Sequence, residues 1–525
     1  MLTLRTLHIA ALTLTSSLTQ ALPTPVTTTA GAVQGAPSRL PLVWVYKGLP
    51  YATAQRFAAP LAPTPWQGVR AADRFGAACP QPASKFDPSE PQPLLPELMS
   101  EDCLYLNVWR PLDAAPDARL PVLVWIHGGA FTFGSGALPA YDGAALAARG
   151  LVVVTLNYRI GQLGYLAHPA LSAAGSSKTS GNYALLDQIA ALRWLQANLP
   201  SFGGDATQVT IAGHSGGGVS VSSLMVAPGA RGLFARAIVQ SGPISGLAPT
   251  MRDLPQAEAL GAAFMQERGA QTLAELHALP VAEMLKRRPG DQGVTGPIVE
   301  GANLPRVPAD VFVNGEQAPV PLMIGVTSAE SGSMGPVPAT PETFQRFVGW
   351  LYADDKDKVL ATYPHATPEQ ASDSQADIKR DQMLAASVAY VACHLRIGQP
   401  VYNYLYDHAP PGPNAAQQRA YHGSELGYVL DNLDAIPRDW TAQDRQLARE
   451  LSGYWVNFIK TGNPNGAGLK PWPLATPGSL GVRLNLGVNE GSEPSMQRLE
   501  NFFSGLDPRV QAYGAPPSTT GCKSP

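Results

Sequence analysis

Two kinds of segment alternate along the chain. Short runs rich in β-branched, aliphatic or aromatic residues predict buried strands at 121–126, 151–156, 209–212, 237–239, 321–324 and 401–406. Longer helical or loop-rich stretches separate them, and the clearest is 183–199, where apolar residues recur at a helical period. Strands that alternate with helices are typical of a parallel sheet covered by helices. The pattern therefore predicts an α/β protein with a large, mostly parallel central sheet.

One of the turns that follow these strands contains a candidate nucleophile. The strand 209–212 leads into the pentapeptide Gly-His-Ser-Gly-Gly at 213–217, and Ser215 is the only serine of the chain with glycine at both the second position before it and the second after it. Glycines let the backbone turn sharply from strand to helix, which exposes the serine hydroxyl beside helix N–H groups. Sites in open α/β sheets form at the carboxyl ends of strands, where Ser215 is expected.

A serine hydroxyl needs a base to take its proton and an acid to orient that base. His422 follows the strand 401–406 and a proline-rich loop, and it is the candidate base. Glu330 comes soon after the strand 321–324 and is the candidate acid. The order Ser, Glu, His along the chain is that of the triads of α/β-hydrolases.

A glycine-rich loop directly follows the strand 121–126. Its residues His127, Gly128, Gly129 and Ala130 fit the loop whose backbone N–H groups bind the oxyanion in lipases and esterases. The N–H group that follows the nucleophile adds to such a site. The sequence therefore predicts a place where the charge of a tetrahedral acyl-transfer intermediate is stabilised.

The composition fits one large globular domain. Of the 525 residues, 45% are hydrophobic and 15% are charged, which supplies a large core and excludes global disorder. The net charge of −3 gives no electrostatic case for nucleic acid or an anionic membrane, and no apolar run after the N-terminus reaches the length of a membrane span. Residues 1–21 fit an export signal. We expect a signal peptide at 1–21, a single catalytic domain at 22–525, and a secreted or periplasmic protein.

The four cysteines lie at positions 79, 103, 393 and 522, without a CxxC pair or a histidine at metal-ligand spacing. This pattern argues against zinc, and we expect neither a metal nor another cofactor. An even number of cysteines in an exported chain predicts two disulfides, for which three pairings are open.

The chain resembles the type-B carboxylesterases, the family of cholinesterases, bacterial para-nitrobenzyl esterases and fungal lipases. The resemblance runs from about residue 26 to about residue 505, and its motifs stand in the family's order. They include KGLPYA at 47–52, EDCLYLNV at 101–108, WIHGGAF at 125–131, NYR at 157–159, FGGD at 202–205, the pentapeptide at 213–217, QSG at 240–242 and WP at 472–473.

The resemblance implies the α/β-hydrolase fold and a serine carboxylic ester hydrolase that works through an acyl-enzyme intermediate. It implies that Ser215, Glu330 and His422 form the catalytic triad. The buried serine that supports the triad in this family would be Ser241.

Further site residues are implied by the same resemblance. The oxyanion hole would come from the backbone of Gly129, Ala130 and Gly216. The disulfides would be Cys79–Cys103, which closes a loop at the mouth of the gorge, and Cys393–Cys522, which fixes the C-terminus.

Two departures from the family pattern bear on the substrate. The family usually has glutamate and alanine on either side of the nucleophile, where this chain has His214 and Gly216. Gly216 keeps its backbone N–H, whereas His214 replaces an anion of the substrate pocket and disfavours cationic substrates. The loop 80–102 contains no tryptophan, its only aromatic residue being Phe86, which argues against a cation–π site for choline-type esters.

Two other functions are compatible with the same fold. A neuroligin-like binding protein would lack the nucleophile, so the complete triad disfavours it. A lipase would use the loop 80–102 as a lid, with an apolar face that includes Leu94, Leu95, Leu98 and Met99, although the prolines of this loop weaken a helix. Interfacial activation on emulsions would distinguish a lipase from an esterase.

The chemical class of the ester stays open. Lys286, Arg287 and Arg288 could attract an anionic ester, including a polycarboxylate ester, but a solvated helix end is the simpler interpretation. In each case the expected partner is a small-molecule ester, and the sequence leaves the oligomeric state undetermined.

Overall fold

The computed structural model describes residues 24–82, 99–115, 117–242, 251–286, 296–330, 337–352, 356–476 and 483–487. The strands in these ranges form a ten-stranded sheet and a three-stranded sheet. They are β1 (Val26–Thr28), β2 (Gly31–Gln34), β3 (Ala36–Pro37), β4 (Val43–Pro50), β5 (Val69–Ala71), β6 (Tyr105–Pro111), β7 (Leu120–Ile126), β8 (Val152–Leu156), β9 (Gly204–His214), β10 (Arg236–Gln240), β11 (Leu322–Thr327), β12 (Val401–Tyr406) and β13 (Leu484–Leu486).

The large sheet has the strand order β13-β12-β11-β10-β9-β7-β8-β6-β4-β3. All six strands predicted from the sequence are adjacent in it, from β12 to β8, and each pairs in parallel with its neighbour. In the large sheet, antiparallel pairing is confined to the β3–β4, β4–β6 and β6–β8 pairs at one edge, while β1, β2 and β5 form the small sheet. The predicted α/β class with a mostly parallel sheet is confirmed.

Strand β9 is longer than the predicted 209–212 and reaches His214. It is hydrogen-bonded on both sides, in a register that sets Gly213 opposite Ile126 of β7 and His214 opposite Gln240 of β10. The two neighbouring strands thus satisfy the backbone hydrogen-bonding groups of Gly213 and His214, although neither residue is apolar enough to predict a strand there. As a result the strand ends at the residue before Ser215.

Both faces of the large sheet are covered. On β7, Val122, Val124 and Ile126 belong to one hydrophobic core, whereas Leu123 and Trp125 belong to another, as side chains that alternate between the faces of a strand require. The helices that accompany the sheet are α1 (Ala144–Ala147), α2 (Gly161–Tyr165), α3 (Pro169–Ala174), α4 (Tyr183–Asn198), α5 (Gly216–Val226), α6 (Leu254–Glu267), α7 (Leu273–Ala278), α8 (Val281–Leu285), α9 (Pro308–Val313), α10 (Pro341–Tyr352), α11 (Lys356–Thr362), α12 (Pro368–Arg396), α13 (Ala415–Gln418), α14 (Leu426–Val429) and α15 (Ala442–Thr461).

Local interactions stabilise two of the long helices. The predicted helix at 183–199 is α4, and its buried Asp187 forms a two-pronged ion pair with Arg159, at 2.7 and 2.8 Å. This pairing offsets the cost of taking both charges out of water. Helix α15 begins with a capping box, in which Thr441 and Asp444 satisfy each other's backbone N–H groups.

The predicted disulfide Cys79–Cys103 is present, with the two Cα atoms 5.0 Å apart. By the chain-entropy relation, closing this loop stabilises the fold by roughly 3 to 4 kcal/mol. Cys393 is buried, and no cysteine of the described segments is free. Its predicted partner Cys522 lies outside the described residues, as does the predicted signal peptide, so both stay predictions. No helix in the described ranges has the length and apolar character that crossing a membrane requires.

Candidate active site

The candidate nucleophile, acid and base all lie beyond the carboxyl ends of neighbouring strands. Ser215 follows β9 and Glu330 follows β11, while the strand between them, β10, leads into Ser241. His422 comes after β12, the next strand beyond β11. The strand order therefore brings together residues that are far apart in the sequence.

Ser215 occupies a sharp turn between β9 and α5. Its backbone has φ 57° and ψ −124°, a conformation that costs a residue with a side chain about 1 to 3 kcal/mol. The Ser215 N–H donates to the carbonyl of Gln240 at 2.9 Å, and its own carbonyl accepts the N–H of Val219. These bonds hold the strained residue at the first turn of α5, where helix N–H groups are free to face an anion.

The two glycines that flank Ser215 at a distance of two residues leave no room for a side chain. A Cβ on Gly213 would lie 2.4 Å from the carbonyl oxygen of Gly217. A Cβ on Gly217 would lie 2.1 Å from the carbonyl oxygen of Ile126 in β7. The glycine spacing noted in the sequence thus has a steric cause, since the turn packs directly against the backbone of the next strand.

A single pair of bridged residues brings the candidate acid and base together. Ala329 and Tyr421 form an isolated parallel β-bridge, in which the Ala329 N–H donates to the carbonyl of Ala420 at 3.1 Å. The following residues, Glu330 and His422, are therefore side by side, and Glu330 Oε2 is hydrogen-bonded to His422 Nδ1. This leaves Nε2 as the ring nitrogen of His422 that is available to another partner.

Glu330 is fully buried, yet its surroundings favour the charged form. Burial alone would raise the pKa of the carboxyl, but His422 and hydrogen bonds from Ser241 and Thr327 outweigh it and lower the pKa to about 2. Ser241 Oγ donates to Glu330 Oε1 at 2.7 Å, and the Thr327 N–H donates to the same oxygen at 2.8 Å. Ser241, predicted as a supporting residue, thus contacts the acid directly.

The glycine loop after β7 lies beside the nucleophile turn. Gly129 and Ala130 have φ values of 108° and 49°, so the loop adopts left-handed backbone conformations in succession. A Cβ built on Gly216 would lie 3.3 Å from the Ala130 nitrogen, which puts the first residue of α5 next to this loop. The three residues predicted to form an oxyanion hole are therefore neighbours in space.

His214 lies closer to the candidate base than the sequence suggested. Its ring packs against that of His422 with the centroids 4.5 Å apart, and it is buried with no hydrogen-bond partner for Nε2 within the described segments. Burial lowers the pKa of His214 well below its usual value, and the charge on His422 acts in the same direction. His214 is consequently a neutral residue in contact with the candidate base, whereas the sequence predicted it only as part of the substrate pocket.

Other predicted features have no contact with this site or lie outside the described residues. Lys286 follows α8 and pairs with Glu283 at 3.5 Å, as expected of a solvated helix end. Arg287, Arg288 and most of the loop 80–102 lie outside the described residues. The described part of the chain contains no group of His, Cys, Asp and Glu side chains that could hold a metal ion.

Two buried residues near the candidate triad were not predicted from the sequence. Gln240 was noted only as part of a family motif, and Glu425 was not singled out. Both side chains are fully buried, and they are hydrogen-bonded to each other. A glutamate three residues after the base was the available signal, but residue type alone does not distinguish a buried acid from a solvated one.

Comparisons with known proteins point to the same chemistry. A family model described as "Carboxylesterase family" matches residues 23–494. The para-nitrobenzyl esterase of Bacillus subtilis (strain 168) is 36% identical over 474 residues, which cover 85% of this chain and 92% of that protein. The cocaine esterase of Homo sapiens is 32% identical over 517 residues, covering 90% and 89%. Among solved structures, a thermophilic PNB esterase matches with a TM-score of 0.76 and 33% identity, over 91% of this chain and 99% of that one.

Proposed function

Because this chain belongs to the carboxylesterase family, we propose that it hydrolyses esters with Ser215 as nucleophile, His422 as general base and Glu330 as the acid that orients the base. The observation that carries the proposal is the hydrogen bond between Glu330 and His422 Nδ1, at the sheet edge where Ser215 leaves its strand. It supports a histidine whose Nε2 is unprotonated and ready to accept a proton.

In the first step the Ser215 hydroxyl attacks the carbonyl carbon of the ester while His422 Nε2 takes the hydroxyl proton. The carbonyl oxygen becomes an oxyanion that accepts hydrogen bonds from the backbone N–H groups of Gly129, Ala130 and Gly216. Charged Glu330 stabilises the imidazolium that forms. Collapse of the tetrahedral intermediate breaks the ester bond, and the imidazolium protonates the leaving alcohol.

The second step hydrolyses the acyl-enzyme by the same groups. A water molecule attacks the acyl carbon and gives its proton to His422, and the oxyanion forms in the same place. Collapse then releases the carboxylic acid and returns the proton to Ser215. Since Glu330 is held ionised by Ser241 and Thr327 as well as by His422, it supports the histidine in both steps.

The direct test is Ser215→Ala, assayed on a neutral p-nitrophenyl ester. Loss of a triad nucleophile lowers kcat by on the order of 10⁶-fold, and only one oxygen is removed from the turn, so the melting temperature should stay close to that of the unaltered protein. A fluorophosphonate should label the peptide that contains Ser215 in the unaltered protein and leave the variant unlabelled.

Ser177→Ala is the matched control, because Ser177 lies in an exposed turn. It should hydrolyse the ester and react with the fluorophosphonate normally. Covalent labelling at another residue, or near-normal turnover by Ser215→Ala, would contradict the proposed function.

We further propose that the protein is exported and prefers neutral esters. The Cys79–Cys103 disulfide supports an oxidising compartment, since such bonds are rare in reducing ones. The neutral, buried His214 supports weak binding of cationic esters, because the family's usual anion is missing there. A panel of neutral, cationic and polyanionic esters, with one emulsified substrate, would distinguish this proposal from a lipase or a polycarboxylate esterase.

A further inference from the structure

Gln240, the last residue of β10, is fully buried and contacts both parts of the proposed catalytic apparatus. Its backbone carbonyl accepts the N–H of Ser215 at 2.9 Å. Its side-chain oxygen accepts the indole N–H of Trp455 at 3.1 Å, and its side-chain nitrogen donates to Glu425 Oε1 at 3.4 Å. One residue thus binds the nucleophile turn through its backbone and a second turn through its side chain.

Trp455 fixes the direction in which this amide points. An indole N–H can only donate, so it selects the oxygen of Gln240 and turns the NH₂ group towards Glu425. Trp455 is fully buried within α15, so neither group can exchange its partner for water. The orientation of the Gln240 amide is therefore set by the packed core.

Glu425 belongs to the turn that carries the base, three residues after His422. It is fully buried, and the single hydrogen bond from Gln240 is the only one that its carboxyl makes to the described side chains, since Oε2 has no partner there. Its backbone carbonyl accepts the N–H groups of Tyr428 and Val429 and so anchors the start of α14. Glu425 is thus held by the helix through its backbone and by Gln240 through its carboxyl.

The surroundings of Glu425 favour a neutral carboxyl. Burial raises its pKa to about 7, and the nearby charge of Glu330 acts in the same direction. Titratable groups from three elements interact electrostatically with Glu425. They are Glu330 after β11, His422 on the same turn as Glu425, and Tyr404 and Tyr406 of β12. Below about pH 7 the neutral Glu425 leaves Glu330 as the single negative charge beside the proposed base.

We propose that Gln240 is a positioning residue for ester hydrolysis, which ties the His422 turn to the Ser215 turn through its hydrogen bond to the carboxyl of Glu425. The inference rests on the proposed roles of Ser215 and His422 as nucleophile and base. Proton transfer requires the imidazole to stay within hydrogen-bond reach of the serine hydroxyl. A turn that is free to shift by an ångström would lower kcat more than it would weaken substrate binding.

The test variant is Gln240→Met, which keeps the length of the side chain and the backbone carbonyl but removes both side-chain hydrogen bonds. With a neutral p-nitrophenyl ester, kcat should fall about 10- to 100-fold, while KM should change by less than about threefold. Gln240→Asn, which is one methylene too short to reach Glu425, should likewise lower kcat with little change in KM. It serves as the second variant if the first fails to fold.

A double-variant cycle separates positioning from simple core packing. If Gln240 acts through Glu425, Glu425→Leu should lower kcat by a similar factor, and the combination Gln240→Met with Glu425→Leu should lower it no further. Losses that multiply in the double variant would overturn the inference.

The matched control is Gln317→Met, because Gln317 is also a buried glutamine with a long side-chain hydrogen bond, 3.4 Å to the carbonyl of Cys393. It should lower the melting temperature without changing kcat. If Gln240→Met behaves in the same way, the residue is structural and the inference fails, while the loss of activity in Ser215→Ala would still uphold the proposed function. Undiminished activity in Ser215→Ala would instead contradict the proposed roles of Ser215 and His422, on which the inference rests.

Discussion

The two halves of the candidate site are held in place by different forces. At the nucleophile turn, backbone interactions fix the position of Ser215. Its main chain is hydrogen-bonded, and the glycines beside it have no side chain, so the turn can pack against the backbone of β7. At the acid–base pair, hydrogen bonds fix the Glu330 side chain, which accepts from the Ser241 hydroxyl and the Thr327 backbone N–H and pairs with the His422 ring.

This difference predicts which kind of substitution disrupts each half. The nucleophile half tolerates a change of charge but no added volume at Gly213 or Gly217, because its geometry there follows from close packing of main-chain atoms. The acid–base half tolerates a small change of shape but no change of charge, because its geometry follows from charge-assisted hydrogen bonds. Variants that alter one property and keep the other therefore distinguish the two halves.

The largest effect is expected from a change of charge without a change of size. Glu330→Gln should lower kcat by about 10⁴-fold, because an amide donates to Nδ1 and stabilises the wrong tautomer of His422. The melting temperature should change little, as the amide oxygen can still accept from Ser241. A change of charge beside Ser215, made by His214→Glu, should cost far less activity on the same neutral ester. An equal loss in both variants would contradict the proposed difference between the two halves.

The next effect is expected from added volume without a change of charge. Gly217→Ala should destabilise the fold by about 3 kcal/mol or more, because the new methyl group would overlap the Ile126 carbonyl oxygen. Gly216→Ala is the matched control one position away, where the nearest atom to an added Cβ is 3.3 Å distant, and its stability should stay within about 1 kcal/mol. Chemical unfolding followed by tryptophan fluorescence measures both, and equal stability of the two variants would show that packing does not fix the turn.

A pH-dependent effect is expected from Glu425 on the acid–base side. The pKa of Glu425 is raised from 4.5 to about 7 in the folded state, so its contribution to stability is complete below pH 4.5 and is lost as the pH rises through 7. Relative to Glu425→Gln, the unaltered protein should therefore lose roughly 3 kcal/mol of unfolding free energy between pH 4.5 and pH 8. A difference that stays constant with pH would show that this carboxyl is not held neutral.

The smallest effect concerns substrate choice. His214→Glu restores the residue that is common in the family and should shift kcat/KM towards choline-type esters by about tenfold, since one charge pair partly open to water contributes on the order of 1 kcal/mol. Assays of neutral and choline-type esters across pH measure this ratio. If His214→Ala were as inactive as Ser215→Ala while His422→Ala stayed active, the assignment of the base would be wrong.

Much of the fold was predictable because the two patterns that indicate it, the apolar runs and the glycines around Ser215, are local in the sequence. Apolar runs predicted the six adjacent parallel strands, and the glycines at 213 and 217 marked the turn whose steric need for them the structure explains. The antiparallel edge of β3, β4 and β6 was not predicted, because its pairing depends on which strands meet in three dimensions.

Dependence on contacts between distant segments also explains which interactions at the site were not predicted. The contact between His214 and His422 and the bond between Gln240 and Glu425 join residues that are far apart in the sequence. Their burial follows from the complete sheet and from α15, so no local pattern distinguishes them from solvated polar residues.

The strand order has a consequence for how the protein becomes active. Glu330 and His422 are 92 positions apart, Ser241 and Glu330 are 89 apart, and each contact requires that two neighbouring parallel strands have already paired. Parallel pairing joins distant parts of the chain and forms slowly during folding. Hydrolytic activity should therefore return after helical circular dichroism does when the denatured chain is refolded, and covalent titration of Ser215 would count the fully assembled molecules in a preparation.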